Sequence, residues 1–198
     1  DVCSSDLHDY KGITDNKVLY KKLKMPSEYY SFMKKNWVFV FLNTNEIAAY
    51  SNVVGTAKEQ ELLRIQNQIK VNKEIQGARW NGGVSSRQLQ WLDNLLKKSE
   101  KKNRNVLIFC HHPLYPRSQF TALNNMEILD VINRYNCVKA IFSGHHHSGA
   151  FGYFDHIPCN TVEGMIETPD KNSFGIVRIY KDRIELEGKE RMTSRLFM

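Results

Sequence analysis

Apolar and polar positions along the chain alternate between two rhythms, and the switches between them mark the elements. Aromatic and β-branched residues fill 29–32 and 37–42 on either side of the polar Lys34-Lys35-Asn36. That pattern predicts a hairpin whose second strand is buried on both faces, ended by Asn43-Thr44-Asn45. From 58 to 73, Leu62, Ile65 and Ile69 recur at helical spacing among charged and amide side chains, which predicts an exposed amphipathic helix. Ser85 with Gln88 three residues on reads as a capping box. It opens a helix with Leu89, Leu92, Leu95 and Leu96 as its buried stripe, closed by the charged stretch 97–104. Apolar runs at 106–109 and 138–142 read as strands, and 124–135 between them reads as a helix with Ile128, Leu129 and Ile132 inward. Short strands are expected at 161–163, 174–180 and 183–186, with Lys181-Asp182 as a tight turn; a polar loop is expected after His8-Asp9. Strands alternating with helices, then a strand-rich end, predict an α/β layered sandwich in a single domain without internal repeats.

The two central strands end alike. Residues 106–109 stop at Cys110-His111-His112-Pro113, and 138–142 stop at Ser143-Gly144, followed by His145-His146-His147-Ser148-Gly149. Such strands aim imidazoles at one rim of the sheet, where open α/β folds carry their chemistry. Imidazole binds divalent metals, and metal sites gather ligands from separate strand ends. In an extended chain His111 and His112 point to opposite sides, so at most one of them faces a metal. The same alternation lets His145 and His147 point together while His146 turns away. His112 and His156 are set aside as ordinary core or surface histidines; for the triplet, solvent-facing loop residues are the alternative. Three imidazoles without a carboxylate could hold zinc. On residues alone this gives a metal site and no reaction.

Composition narrows the partners. The formal net charge is +7, carried by scattered lysine pairs such as Lys21-Lys22 and Lys97-Lys98. No single basic stripe is interleaved with aromatics, so nucleic acid is not an expected partner; a basic field still favours arrival of an anionic substrate. No apolar run has membrane-spanning length, so no membrane partner is expected. Cys110, Cys137 and Cys159 lie in or beside apolar runs without paired spacing. They read as reduced core thiols, which tilts the expectation towards a reducing compartment, with the cytoplasm as the expected location and secretion left open.

Residues 1–7, Asp-Val-Cys-Ser-Ser-Asp-Leu, lack periodicity and resemble the in-frame translation of a DNA-sequencing adaptor. They are expected to be a non-native scar, with 8–198 the C-terminal portion of one domain. Asp6-Leu7-His8 spells D-x-H, but no strand leads into it, and it is not read as a ligand pair.

An apolar strand into H-x-P, then another into G-H-x-H, resembles the last two motifs of calcineurin-like metallophosphoesterases. The helix after Gly83 is similar to the one before the H-x-P strand in that family. Arg79-Trp80-Asn81-Gly82-Gly83, Thr161-Val162-Glu163-Gly164-Met165-Ile166-Glu167-Thr168-Pro169 and Phe174-Gly175-Ile176-Val177 resemble the manganese-dependent ADP-ribose/CDP-alcohol diphosphatases. The resemblance implies a sandwich of two mixed β-sheets flanked by helices, here without its N-terminal strands and helices. It implies two divalent ions, with manganese first and iron or zinc as alternatives, and a nucleotide-type small-molecule substrate. His111 and His145 would hold one ion and His147 the other. His8-Asp9 looks like the tail of G-N-H-D, which would make His8 the catalytic histidine. Trp80 and Asn81 would lie on the substrate side, with a core tryptophan and a plain turn as the alternative. Glu163 would orient a histidine ligand or pair with a lysine.

The family pattern is incomplete here. No G-D pair and no N-H pair occurs in the 198 residues, so the bridging aspartate and the asparagine ligand have no counterpart. Two cations about 3.5–4 Å apart need such a bridge. The expectation is therefore an inactive or nearly inactive chain from an active parent hydrolase. Alternatives are a phosphomonoesterase or cyclic phosphodiesterase of the same fold, or a non-catalytic histidine metal-binding module. The oligomeric state is left open.

Overall fold

The computed structural model describes residues 6–13, 15–51 and 54–197; residues 1–5 of the expected scar lie outside these. A 3-10 turn, Leu7–Tyr10, opens the described chain. The stretch expected as a polar loop holds a short helix, α1 (Asn16–Lys22), capped by the Asp15 carboxylate on the Lys17 N–H at 2.9 Å. Only Leu19 and Tyr20 of α1 are buried, too few for a helical period to show.

The hairpin forms as β1 (Tyr30–Lys34) and β2 (Trp37–Phe41), paired antiparallel. A two-residue β3 (Ile47–Ala48) precedes α2 (Ala57–Val71), which buries Leu62, Ile65 and Ile69 as its spacing predicts. Gly82–Gly83 forms β4 against β3, and α3 (Ser86–Lys101) follows. Then come β5 (Asn105–Phe109), α4 (Asn125–Ile132) and β6 (Val138–Ser143). The end of the chain adds β7 (Ala150–Phe154), β8 (Ile157–Thr161), β9 (Ser173–Ile179), β10 (Ile184–Glu190) and β11 (Arg195–Phe197).

The large sheet is mixed, in the order β1-β2-β5-β6-β8-β7; the second is antiparallel, β11-β10-β9. Strand alternation sorts the core into two layers. Val38, Val40, Val106, Ile108, Val138 and Ile141 face α3 and α4, meeting Leu92, Leu96, Ile128, Leu129 and Ile132. Leu107, Ala140 and Phe142 face the small sheet, meeting Ile184, Leu186 and Phe197. Helix, sheet and sheet therefore stack as a layered α/β sandwich. Among the described residues no helix is long and apolar enough to cross a membrane. Cys110, Cys137 and Cys159 are free and buried, and burial pushes the Cys159 thiol up to about 12.

The Ser85 cap is half of the expected box. Ser85 Oγ accepts the Gln88 N–H at 3.1 Å, but the Gln88 amide turns to the β2 tip. It accepts the Asn43 N–H at 2.8 Å and donates to Glu46 at 2.6 Å. Buried Glu46 in turn takes the Ser85 N–H and hydroxyl at 3.0 and 2.8 Å. A buried carboxylate persists only when its lone pairs are occupied, and here three donors and Lys58, 3.4 Å away, occupy them. The network pins the loop after β2 to the start of α3, beneath the histidine-bearing strand ends.

Candidate metal centre

Strands β5 and β6 are parallel neighbours, with Phe109 opposite Phe142, so their C-terminal tips emerge side by side. The Gly144 N–H donates to the His111 carbonyl at 3.0 Å and joins the two tips. His111 and His145 meet across this seam: His111 Nε2 lies 3.1 Å from His145 Nδ1. His145 takes φ 63, a left-handed conformation uncommon for residues with a Cβ. Such backbone persists where surrounding contacts fix it, often at working sites.

That conformation also ends the strand alternation assumed for the triplet. Residues 144–149 form a turn, with the His146 N–H on the Gly144 carbonyl at 2.7 Å and the Gly149 N–H on the His146 carbonyl at 2.8 Å. His146 stacks on Phe120, ring centroids 4.4 Å apart. His147 turns to Glu167, Nδ1 to carboxylate 2.7 Å, and packs on Gly164, where a methyl group would sit 2.9 Å from the His147 Cβ. Glu163, expected beside a histidine or a lysine, instead accepts the Thr193 hydroxyl at 2.6 Å. Glu167, four residues on, holds the imidazole.

His112 is fully buried and joins the cluster; ligand atoms of His111, His112 and His145 all lie within 4.8 Å of one another. Its nitrogens are committed elsewhere. Nδ1 lies 3.0 Å from the Thr44 hydroxyl, and Nε2 accepts the Gly82 N–H at 3.2 Å. A lone pair that accepts a backbone N–H is not free for a metal, so His112 acts as a tie between the β5 tip and the loop around Gly82. A methyl at Gly82 would overlap the Thr44 carbonyl, which explains the glycine.

Asn81 is buried, and its side-chain oxygen sits 3.1 Å from His145 Nε2. Trp80 beside it is 47% exposed. His8 is exposed, yet near enough that its charge weighs against protonation of His111. Asp6, within the expected scar, accepts the His8 N–H at 2.7 Å, and its other oxygen lies 3.8 Å from His111 Nδ1.

Burial holds these imidazoles neutral. Desolvation, then the neighbouring His111, lowers His145 to about 3. Desolvation also lowers His111, against the pull of Asp6 and Asp9, and lowers His112 further. Neutral imidazole is the metal-binding form. Two ligand nitrogens about 2.1 Å from one ion lie roughly 3.0–3.4 Å apart, which the 3.1 Å between His111 and His145 matches. Among the described residues no carboxylate joins that group, so the donor set fits the imidazole part of a divalent-ion site.

The same shifts make stability depend on pH. Unfolded imidazoles titrate near 6.5, whereas folded His145 does so near 3. Between those values the unfolded chain binds more protons, so stability is full above the upper value and falls as pH drops towards the lower one. The urea midpoint is expected to fall steadily from pH 7 to pH 5, and to fall less in a His112→Gln variant. A flat profile would show that these imidazoles are not buried neutral.

Residues 8–149 match the calcineurin-like phosphoesterase family. The chain belongs to that family. The manganese-dependent ADP-ribose/CDP-alcohol diphosphatase of Bos taurus is 30% identical over 200 residues, which cover 92% of this chain and 59% of the relative. The protein of that name from Homo sapiens is 29% identical, covering 92% of this chain and 58% of its own length. That from Oryza sativa subsp. japonica is 31% identical, covering 89% and 61%. This calcineurin-like phosphoesterase chain thus spans about three fifths of the length of these relatives. The crystal structure of a dimetal phosphatase from Danio rerio shares the fold, with TM-score 0.86 over 98% of this chain and 70% of the other, at 24% identity.

Proposed function

We propose that the chain carries the imidazole half of a metal-dependent phosphoesterase centre. In the full-length enzyme that centre hydrolyses the diphosphate linkage of ADP-ribose or a CDP-alcohol. The facing nitrogens of His111 and His145, 3.1 Å apart at adjacent strand tips, carry this reading. The names of the curated relatives supply the substrate class and the metal. Two divalent ions, manganese before iron or zinc, would supply an activated water and shield the phosphoryl oxygens. His111 and His145 would hold one ion; His147, with Nδ1 on Glu167, would have Nε2 left for the other.

The remaining roles belong to the protein. His8, beside His111, donates a proton to the leaving oxygen. The half-exposed indole of Trp80 stacks on the nucleobase, and the basic surface draws in the diphosphate. Among the described residues the cluster holds no carboxylate, so carboxylate ligands from a longer polypeptide would complete the centre, and the 198-residue chain alone is expected to stay near background. The partner is a small nucleotide substrate in the cytoplasm, with no nucleic acid or membrane.

Assay of ADP-ribose and CDP-choline hydrolysis, with and without manganese, tests this on the chain as it stands and on one extended by its upstream coding sequence. Manganese-stimulated hydrolysis by the extended form alone is expected. No hydrolysis by the extended form, with stoichiometric zinc bound, would instead favour a non-catalytic metal module. In the active form, Trp80→Ala is expected to raise KM about tenfold with little change in kcat, as loss of one base stack implies. An unchanged KM would remove Trp80 from the substrate side.

A further inference from the structure

We propose that Asn81 is a positioning residue that fixes the His145 imidazole as its Nε2–H tautomer. Its importance for catalysis rests on the metal centre proposed above; the hydrogen-bond argument does not. Asn81 is 1% exposed. Its Nδ2 donates to the Gln76 carbonyl at 2.8 Å and to the Gln119 carbonyl at 2.7 Å. Two carbonyls from separate segments can be satisfied only by the NH2 end of the amide, which leaves no choice of flip. The oxygen therefore faces His145, and an amide oxygen only accepts. His145 Nε2, 3.1 Å away, must be the donor. A neutral imidazole has one N–H, so Nδ1 is bare, and it is Nδ1 that faces His111 at 3.1 Å.

The amide is itself anchored. The Asn81 N–H donates to the Ala78 carbonyl at 3.0 Å, and the Gly82 N–H donates to His112 at 3.2 Å. The Leu123 N–H closes on the Gly82 carbonyl at 2.8 Å. The orientation of His145 is thus set by a rigid loop on a separate part of the chain. His147 has the opposite arrangement, with Nδ1 engaged by Glu167. One turn therefore presents imidazoles through different nitrogens, each selected by a polar partner, as in sites where a second hydrogen bond fixes the ligand tautomer.

The test reads the tautomer directly. Two-bond 1H–15N correlation on the metal-free, uniformly labelled 198-residue chain at neutral pH should show His145 protonated on Nε2. Protonation on Nδ1, or averaging between the two forms, would overturn the proposal. Asn81→Ala should bring averaging and weaken Zn2+ binding, followed by calorimetry, about 10–100-fold. Asn81→Asp keeps an acceptor for the Nε2–H but loses both amide donors to the Gln76 and Gln119 carbonyls; it should be less stable than wild type yet keep Nε2 protonated, where Asn81→Ala does not. A purely structural role predicts equal damage in both variants, and that result would also overturn it. Wild-type chain that shows the Nε2–H form but binds no zinc would sustain the Asn81 assignment and contradict the metal centre.

Discussion

Replacing His145 with alanine is expected to lower kcat/KM of the manganese-loaded, extended enzyme by at least about a thousandfold, roughly 4 kcal/mol of transition-state stabilisation. In the 198-residue chain the same substitution should abolish divalent-ion binding at the strand tips. The effect is large because His145 supplies one of the two imidazole nitrogens that, among the described residues, face each other across the β5–β6 seam. The third member of the cluster, His112, is held by Thr44 and Gly82 and cannot take over. Folding should change little, by about 1 kcal/mol, the cost of leaving the Asn81 oxygen without its donor. Steady-state kinetics, zinc calorimetry and urea unfolding on one preparation separate these effects. Retained activity, or a loss explained by unfolding, would place the chemistry elsewhere.

The second large effect is on stability and comes from the layer between the sheets. Phe142 is buried on β6, directly before the turn that carries the histidines. Its ring stacks on Phe109 at 5.5 Å and meets the edge of Phe197 on the small sheet at 5.7 Å. Phe109 continues the row to Phe41 at 5.0 Å. Phe142→Ala is expected to cost about 3–5 kcal/mol, the usual sum of lost transfer energy and an unfilled cavity, and urea denaturation reads it. Because β6 sets the position of residues 143–145, zinc affinity of the folded variant should fall as well. A cost below about 1 kcal/mol would mean that the two sheets are not joined through this row.

Where a residue's neighbours in sequence decided its environment, the sequence was readable. The period of Leu62, Ile65 and Ile69 gave α2, and the apolar runs at 106–109 and 138–142 gave two strands whose tips meet. The helix α1 escaped because it buries only Leu19 and Tyr20. At the site, strand alternation was carried past the strand: φ 63 at His145 begins a turn, so His147 faces Glu167 instead of lying parallel to His145. Asn81, expected on the substrate side, is buried with both polar ends of its side-chain amide engaged. Gln76, Gln119 and Phe120 gave no signal, since their roles depend on carbonyls and a ring brought close only by the fold. The capping pair Ser85 and Gln88 was half legible for the same reason: Glu46, 42 residues away from Gln88, claims the amide.

Diffraction from crystals of the 198-residue chain grown with zinc, recorded across the zinc absorption edge, tests the centre most directly. One anomalous peak is expected about 2.1 Å from both His111 Nε2 and His145 Nδ1. A peak on other residues, or none between these two at full zinc occupancy elsewhere, would contradict it.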